Sequence, residues 1–188
     1  MGVRARRSEV TAQRIRAAAL DRFLSRSYNE VTLGEIAAAA EVTVPTLIAH
    51  FGRKEDLFVA ALEDWGGHMV EFREEAPAGD HAGAIRNLIE HYEAAGDRIL
   101  HLLAEEARFP AVRAITDEGR RFHRTWIERV FGDSLVRRRG AAREQLIVQL
   151  VVATDLLSWK LMRLDMGLSR RQVEAAILGT VTVLTGDC

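Results

Sequence analysis

Two threonines eleven residues apart, Thr32 and Thr43, are the side chains of this 188-residue sequence whose type and spacing point most directly to chemistry. Each stands just before a short stretch with helical apolar spacing, where a hydroxyl can accept a hydrogen bond from a free backbone N–H. A helix start built this way is also suited to an oxyanion such as a phosphate. Thr32 is followed three residues later by Glu35, the spacing of a reciprocal capping box, with Val31 and Ile36 placed for a hydrophobic staple. Thr43 repeats the arrangement with Val42 and Leu47 as staple and Pro45 in the first turn, where a missing N–H costs nothing. Leu33, Ile36, Ala37 and Ala40 fall on one face of the first helix, Leu47 and Phe51 on one face of the second. Two capped helices separated by a tight turn describe a helix-turn-helix, the arrangement that lays its second helix in the major groove of DNA.

Other chemistry finds little support. The sequence holds no glycine-rich phosphate loop, no Ser or Cys in a nucleophile setting and no His-Glu-x-x-His motif. His101 with Glu105, and His68 with Glu71, share helix faces, but a metal centre needs three or four ligands. No enzyme, metal or cofactor is expected. The single Cys188 excludes a disulfide framework and suits a reducing cytoplasm, and no leader of the basic-then-apolar kind is seen. The most apolar window, Leu146 to Leu164, contains Asp155, Lys160 and Arg163. Each would cost about 2.5–3.5 kcal/mol at a bilayer centre, so no membrane span is expected.

Charge is distributed unevenly. Residues 1–54 carry nine basic and five acidic side chains (net +4), and the remainder carries seventeen and twenty-two (net −5). A basic end on an acidic body fits a protein that sets one end on a polyanion.

The elements that must position these residues all read as helices. A first helix from about Ser8 to Arg26 places Ile15, Ala19 and Phe23 on one face. After the two helices of the motif, Lys54 to about Glu75 forms a long helix with Leu57, Ala61, Trp65, Met69 and Phe72 on a stripe. Pro77 to Asp80 breaks it. Asp80 caps a helix from His81 to Ala95, Gly96-Asp97 opens another through Phe109, and Pro110 starts one to about Arg138. Residues 142–166 form a helix apolar nearly all round, buried on more than one side. Ser169 and Gln172 are a third capping box, opening a last helix through Leu184 with Val173, Ile177 and Val181 on its stripe.

Residues 11 to 58 resemble the DNA-binding half of the TetR family of one-component regulators. The resemblance is carried, without gaps, by Thr11, Arg14-Ile15, Ala17 to Leu20, Phe23, Tyr28, Val31 to Leu33, Glu35 to Ala37, Val42-Thr43, Thr46-Leu47, His50-Phe51, Lys54-Glu55 and Leu57-Phe58. The chain departs from the family at Ser27 and Glu41, where Gly is usual, and at Ile48, where Tyr is usual. Glu41 falls in the turn of the motif, where a left-handed backbone would suit Gly. The resemblance implies double-stranded DNA as partner. It implies that Thr32, Thr43, His50 and Lys54 hold phosphates and that Val44, Pro45 and Thr46 meet base edges. A basic N-terminal arm (Arg4, Arg6, Arg7) would add electrostatic attraction.

The expected architecture is all-α: an N-terminal three-helix bundle with the helix-turn-helix over 1–53, and a helical effector-binding and dimerisation domain over 54–188. A small apolar or amphipathic effector is expected among Trp65, Met69, Phe72, Tyr92, His101, Phe122 and Trp126, with His91 and His123 interspersed. A homodimer is expected through Leu150, Leu157, Leu161, Ile177 and Val181, as half of an intermolecular four-helix bundle. The function this implies is a regulator, a repressor released from a palindromic operator by its effector. The alternative is a dimeric ligand- or partner-binding module whose DNA contact is weakened by Glu41 and Ile48.

Overall fold

A computed structural model describes residues 2–75 and 77–186, the side chains of Val3 and Arg4 excepted. The expectations for the Arg4 side chain and for Cys188 lie outside the described residues. Among these residues every regular element is helical: α1 (Val3–Phe23), α2 (Leu33–Ala39), α3 (Val44–Phe51), α4 (Lys54–Glu74), α5 (His81–Glu105), α6 (Pro110–Val130), α7 (Gly132–Leu135), α8 (Gly140–Thr154), α9 (Leu156–Lys160), a π turn over Leu161–Asp165, and α10 (Arg170–Thr185).

Packing divides the chain into two compact units, Met1–His68 with Arg98–Thr116 and Met69–Asp97 with Asp117–Cys188. In the first, the inward faces of α1, α2 and α3 meet. Ile15, Ala19 and Phe23 of α1 are buried with Ile36 and Leu47, as their spacing requires. Leu57, Phe58 and Leu62 from α4, Leu102 from α5 and Val112 from α6 complete the same core, so this unit extends past residue 53. Tyr28 is held in an aromatic cluster, its ring 5.6 Å from Phe23, 5.1 Å from Phe58 and 4.9 Å from Phe109. Helix α1 starts at Val3, not Ser8, because Gly2 supplies an extended N-cap; Arg6 and Arg7 are therefore helical and not part of a free arm.

The second unit corrects three helix boundaries. Gly96 does not end a helix: α5 runs through it, and a Cβ there would stand 2.6 Å from Cζ3 of Trp159. This glycine exists to admit an indole ring against the helix backbone. The apolar run 142–166 is not one helix either. Asp155 is extended (φ −67°, ψ 151°), ends α8 and accepts a hydrogen bond from Leu157 N at 2.8 Å to start α9. The helix from Pro110 stops at Val130 instead of reaching Arg138. Elsewhere the caps form as read: Asp80 accepts from Gly83 N at 2.8 Å, and Ser169 with Gln172 closes a complete capping box. The segment Gly140–Asp165 is long and apolar enough to cross a membrane by composition, but it is broken at Asp155.

Candidate nucleic-acid interface

Helix α2 starts on a complete capping box. Glu35 N donates to Thr32 Oγ1 at 3.2 Å, while Thr32 N and Thr32 Oγ1 both donate to Glu35 Oε2 at 2.9 Å. Arg26 Nη1 donates to the other carboxylate oxygen at 3.0 Å. Together the Thr32 backbone N–H, the Arg26 guanidinium and the Thr32 hydroxyl hold the Glu35 carboxyl down at about 2. The Thr32 hydroxyl is thus engaged at both its donor and one acceptor site, and its role here is the cap. Helix α3 begins on Thr43, which accepts from Thr46 N at 3.3 Å; the two hydroxyls lie 2.9 Å apart.

The turn between them is a Schellman arrangement with a residue other than glycine at its left-handed position. Glu41 has φ +53°, Glu41 N donates to Ala38 O at 3.1 Å, and Val42 N donates to Ala37 O at 2.9 Å. Arg14 reaches from α1 and donates to the carbonyls of Ala40 and Glu41, closing the C-terminal end of α2. The Glu41 carboxylate stays outside, its side chain 84% exposed and 4.0 Å from the Arg14 guanidinium.

Helix α3 turns Leu47 into the core and half-buries Phe51, so Pro45, Ile48 and Ala49 point outward. Val44, Thr46 and His50 are half-buried beside them. Ala49 is an addition to the residues singled out from sequence, and Ile48, noted there as a departure from the family, lies on the same outward face. The signal was available, because the inward pair Leu47 and Phe51 leaves Pro45, Ile48 and Ala49 on the opposite side of a 3.6-residue helix.

Lys54 is placed differently from the expectation that it holds phosphate. Its ammonium donates to the backbone carbonyl of Tyr28 and lies 4.3 Å from the centre of that ring, half-buried, with burial lowering its pKa. The short loop after α1 needs an anchor, and a cation at the start of α4 supplies it. Arg53 next to it is exposed and paired with Asp56 at 3.4 Å.

Residues 15–61 match the family of bacterial regulatory proteins of the tetR type. The helix-turn-helix head thus matches the DNA-binding segment of the tetR family. Solved structures extend the likeness of fold to the full length of the tetR-type chain. A tetR-family transcriptional regulator from Streptomyces coelicolor superposes with a TM-score of 0.75 at 21% identity, over 98% of this chain and 82% of that one. A putative transcriptional regulator from Pseudomonas aeruginosa PAO1 gives 0.74 at 14% identity, over 99% and 93%. A transcriptional regulator from Rhodococcus sp. Rha1 gives 0.72 at 18% identity, over 94% and 96%. No curated protein matches the chain in sequence. The fold is therefore the all-α tetR fold, a helix-turn-helix head followed by a helical body.

The residues expected at an effector site separate. Trp65 packs on the head's own core, and His101 Nε2 donates to Arg26 O at 3.1 Å, a tether inside the first unit. Met69 and Phe72 are half-buried in the second unit. Tyr92, Phe122 and Trp126 come together there around Arg73, a residue not singled out from sequence. Its signal was the α4 stripe itself: Leu57, Ala61, Trp65 and Met69 step by four, and the next step is Arg73, not Phe72. Arg73 is 4% exposed, donates to His123 Nδ1 at 3.1 Å, and has its guanidinium carbon 4.2 Å from the centre of the Trp126 ring. Tyr92 donates to Thr154 O at 3.0 Å.

The expected dimer residues also divide. Leu150, Ile177 and Val181 are wholly inside the unit's own core, where α8 and α10 pack on one another, and cannot meet another chain directly. Leu157 and Leu161 are more than half exposed, and so are Val152 and Met166. The stripe read as an interface thus mixes the outward Leu157 and Leu161 with the inward Leu150, Ile177 and Val181.

Proposed function

We propose that this chain is a homodimeric transcriptional repressor that sets α3 of each subunit on a palindromic operator and is released by a small effector bound in the body. The observation that supports this most is the outward face of α3: both helix starts are capped, Leu47 anchors the helix, and Pro45, Ile48 and Ala49 are free to approach DNA. Such a face makes apolar contact with thymine methyl groups, with Val44 and Thr46 at its margin. Thr43, His50 and the α3 N-terminus would hold phosphates. We assign DNA contact to residues 1–53 and effector binding and dimerisation to residues 54–188. Two heads on a palindrome must sit about 34–36 Å apart, one turn of the duplex, so an effector that changes their spacing releases the DNA.

The second subunit is placed on the exposed apolar side chains Val152, Leu157, Leu161, Leu164 and Met166, since a patch of this kind is costly to leave in water. The proposed setting is the cytoplasm, with no membrane partner.

Selection of bound duplexes from a random pool, followed by titration of the selected sequence at two salt concentrations, tests the proposal. An inverted-repeat consensus with a steep salt dependence is expected. Equal, weak binding to selected and scrambled duplexes would favour the other reading, a dimeric partner- or ligand-binding module, to which the exposed Glu41 carboxylate in the α2–α3 turn lends support.

A further inference from the structure

The second unit buries a full positive charge with nothing to balance it. Among the described residues no carboxylate pairs with Arg73; its polar neighbours are the neutral groups His123 and Tyr92 and a second cation, Arg129, whose Nη2 donates to Arg73 O at 3.3 Å. A charge removed from water in this way is retained only if something compensates it. The aromatic faces of Trp126 and Phe122, at 4.2 and 5.6 Å, do so in part. The hydrogen-bond ledger is also incomplete on the donor side. Arg73 Nε and Trp126 Nε1 are both buried N–H groups without an acceptor. A guanidinium with its Nε–H free, an indole N–H without a partner and two aromatic walls are the parts of a site for a planar anion with an apolar body.

We propose that Arg73 is the counter-charge for the carboxylate of an amphipathic organic acid, which binds in the second unit with its head on Arg73 and its apolar part against the aromatic side chains. This deepens the effector reading above and rests on it only for the consequence at DNA. The cation is set in place by what surrounds it: His123 occupies one edge as an acceptor, and burial with the Arg73 charge holds His123 and His91 neutral, down at about 3. Neither imidazole can therefore supply a competing positive charge or the missing negative one at neutral pH. A bidentate carboxylate on a guanidinium is the strongest hydrogen-bonded partner available to such a group.

The experiment is calorimetric titration of the full chain, without DNA, using decanoate and 4-phenylbutyrate against the neutral alcohols decanol and 4-phenylbutanol. The acids are expected to bind at least tenfold more tightly than the alcohols and to raise the melting temperature. Arg73→Gln should weaken the acids roughly tenfold or more and leave the alcohols unchanged. Because loss of a buried arginine can unfold the unit, Trp126→Phe serves as the second variant. It keeps the ring and removes the N–H, and it should weaken the acids several-fold with the alcohols unaffected. Acids that bind no better than alcohols to the unaltered chain, or equally well to both variants, overturn the proposal. Acids that bind as expected but leave operator affinity unchanged would instead count against effector release and leave this site standing. Release of DNA by neutral compounds alone would do the reverse.

Discussion

Arg73 Nη2 donates to Nδ1 of His123 across 3.1 Å, and that bond fixes the state of the imidazole. A guanidinium can only donate, so Nδ1 must carry a lone pair and the proton must sit on Nε2. From there the polarity runs on without a break: Nε2 donates to Thr154 Oγ1 at 3.0 Å, and Thr154 Oγ1 donates to Leu150 O at 2.7 Å. Protonating Nδ1 would turn the first bond into a clash of donors beside a buried cation. The arrangement makes this part of the fold sensitive to acid.

Stability should therefore fall on acidification well before the carboxylates titrate. In the unfolded chain His91 and His123 protonate near 6.5; in the folded chain they are held to about 3, by burial first and by the Arg73 charge second. Above about 6.5 both states are neutral and the full stability is present. Below it the unfolded state takes up protons that the folded state cannot, so each histidine removes roughly 1.4 kcal/mol per pH unit as the pH falls towards 3. Melting scans between pH 7.5 and 4.5 check this. His91→Gln should flatten the dependence; an unchanged slope would show that His91 is not buried as a neutral ring.

Gly96→Ala should be destabilising although it adds only one methyl group to a helix. Alanine is the better helix former by about 1 kcal/mol, yet its Cβ would meet the Trp159 ring at 2.6 and 2.7 Å. That ring is pinned by its own hydrogen bond from Nε1 to Glu93 Oε1 at 3.0 Å. The net expectation is a loss of about 1–3 kcal/mol in chemical denaturation, with no gain from propensity.

Leu161→Glu and Val181→Glu should differ in kind. Leu161 is 54% exposed, so a carboxylate there stays hydrated and acts only on a partner. Val181 is wholly buried, and a carboxylate there loses its hydration inside the core. Sedimentation of the unaltered chain should give twice 21.0 kDa at micromolar concentration. Leu161→Glu should give a folded species of half that mass, and Val181→Glu an unfolded or aggregated one. A dimer that survives Leu161→Glu would move the interface elsewhere.

Substitutions in the head separate anchoring from DNA contact. Lys54→Ala removes the tether to Tyr28 and should lower the stability of the chain by about 1–3 kcal/mol while leaving the salt dependence of operator binding as it was. A salt slope reduced by about one unit would instead put the ammonium on a phosphate. Glu41→Gly relieves a left-handed backbone and should gain about 1 kcal/mol in stability. It should also tighten binding to every duplex alike, because it removes a charge and no base contact.

Local signals carried the caps and turns. Capping boxes at Thr32 and Ser169, the cap at Thr43, the left-handed turn at Glu41 and the break at Asp80 are each decided within about four residues of chain, and all are legible as written. Whatever depended on a distant partner was not. Gly96 reads as a helix end until Trp159, sixty-three positions later, is laid across it. The long apolar run reads as one helix until Asp155 takes its extended conformation, and its apolar faces are sorted into core and surface by α5 and α10. Lys54 reads as a phosphate ligand until the loop at Tyr28 folds back beneath it. Arg73 reads as the charged end of a helix and lies instead at the centre of a buried aromatic cluster, because a side chain's neighbours across the fold, not along the chain, set whether its charge meets water.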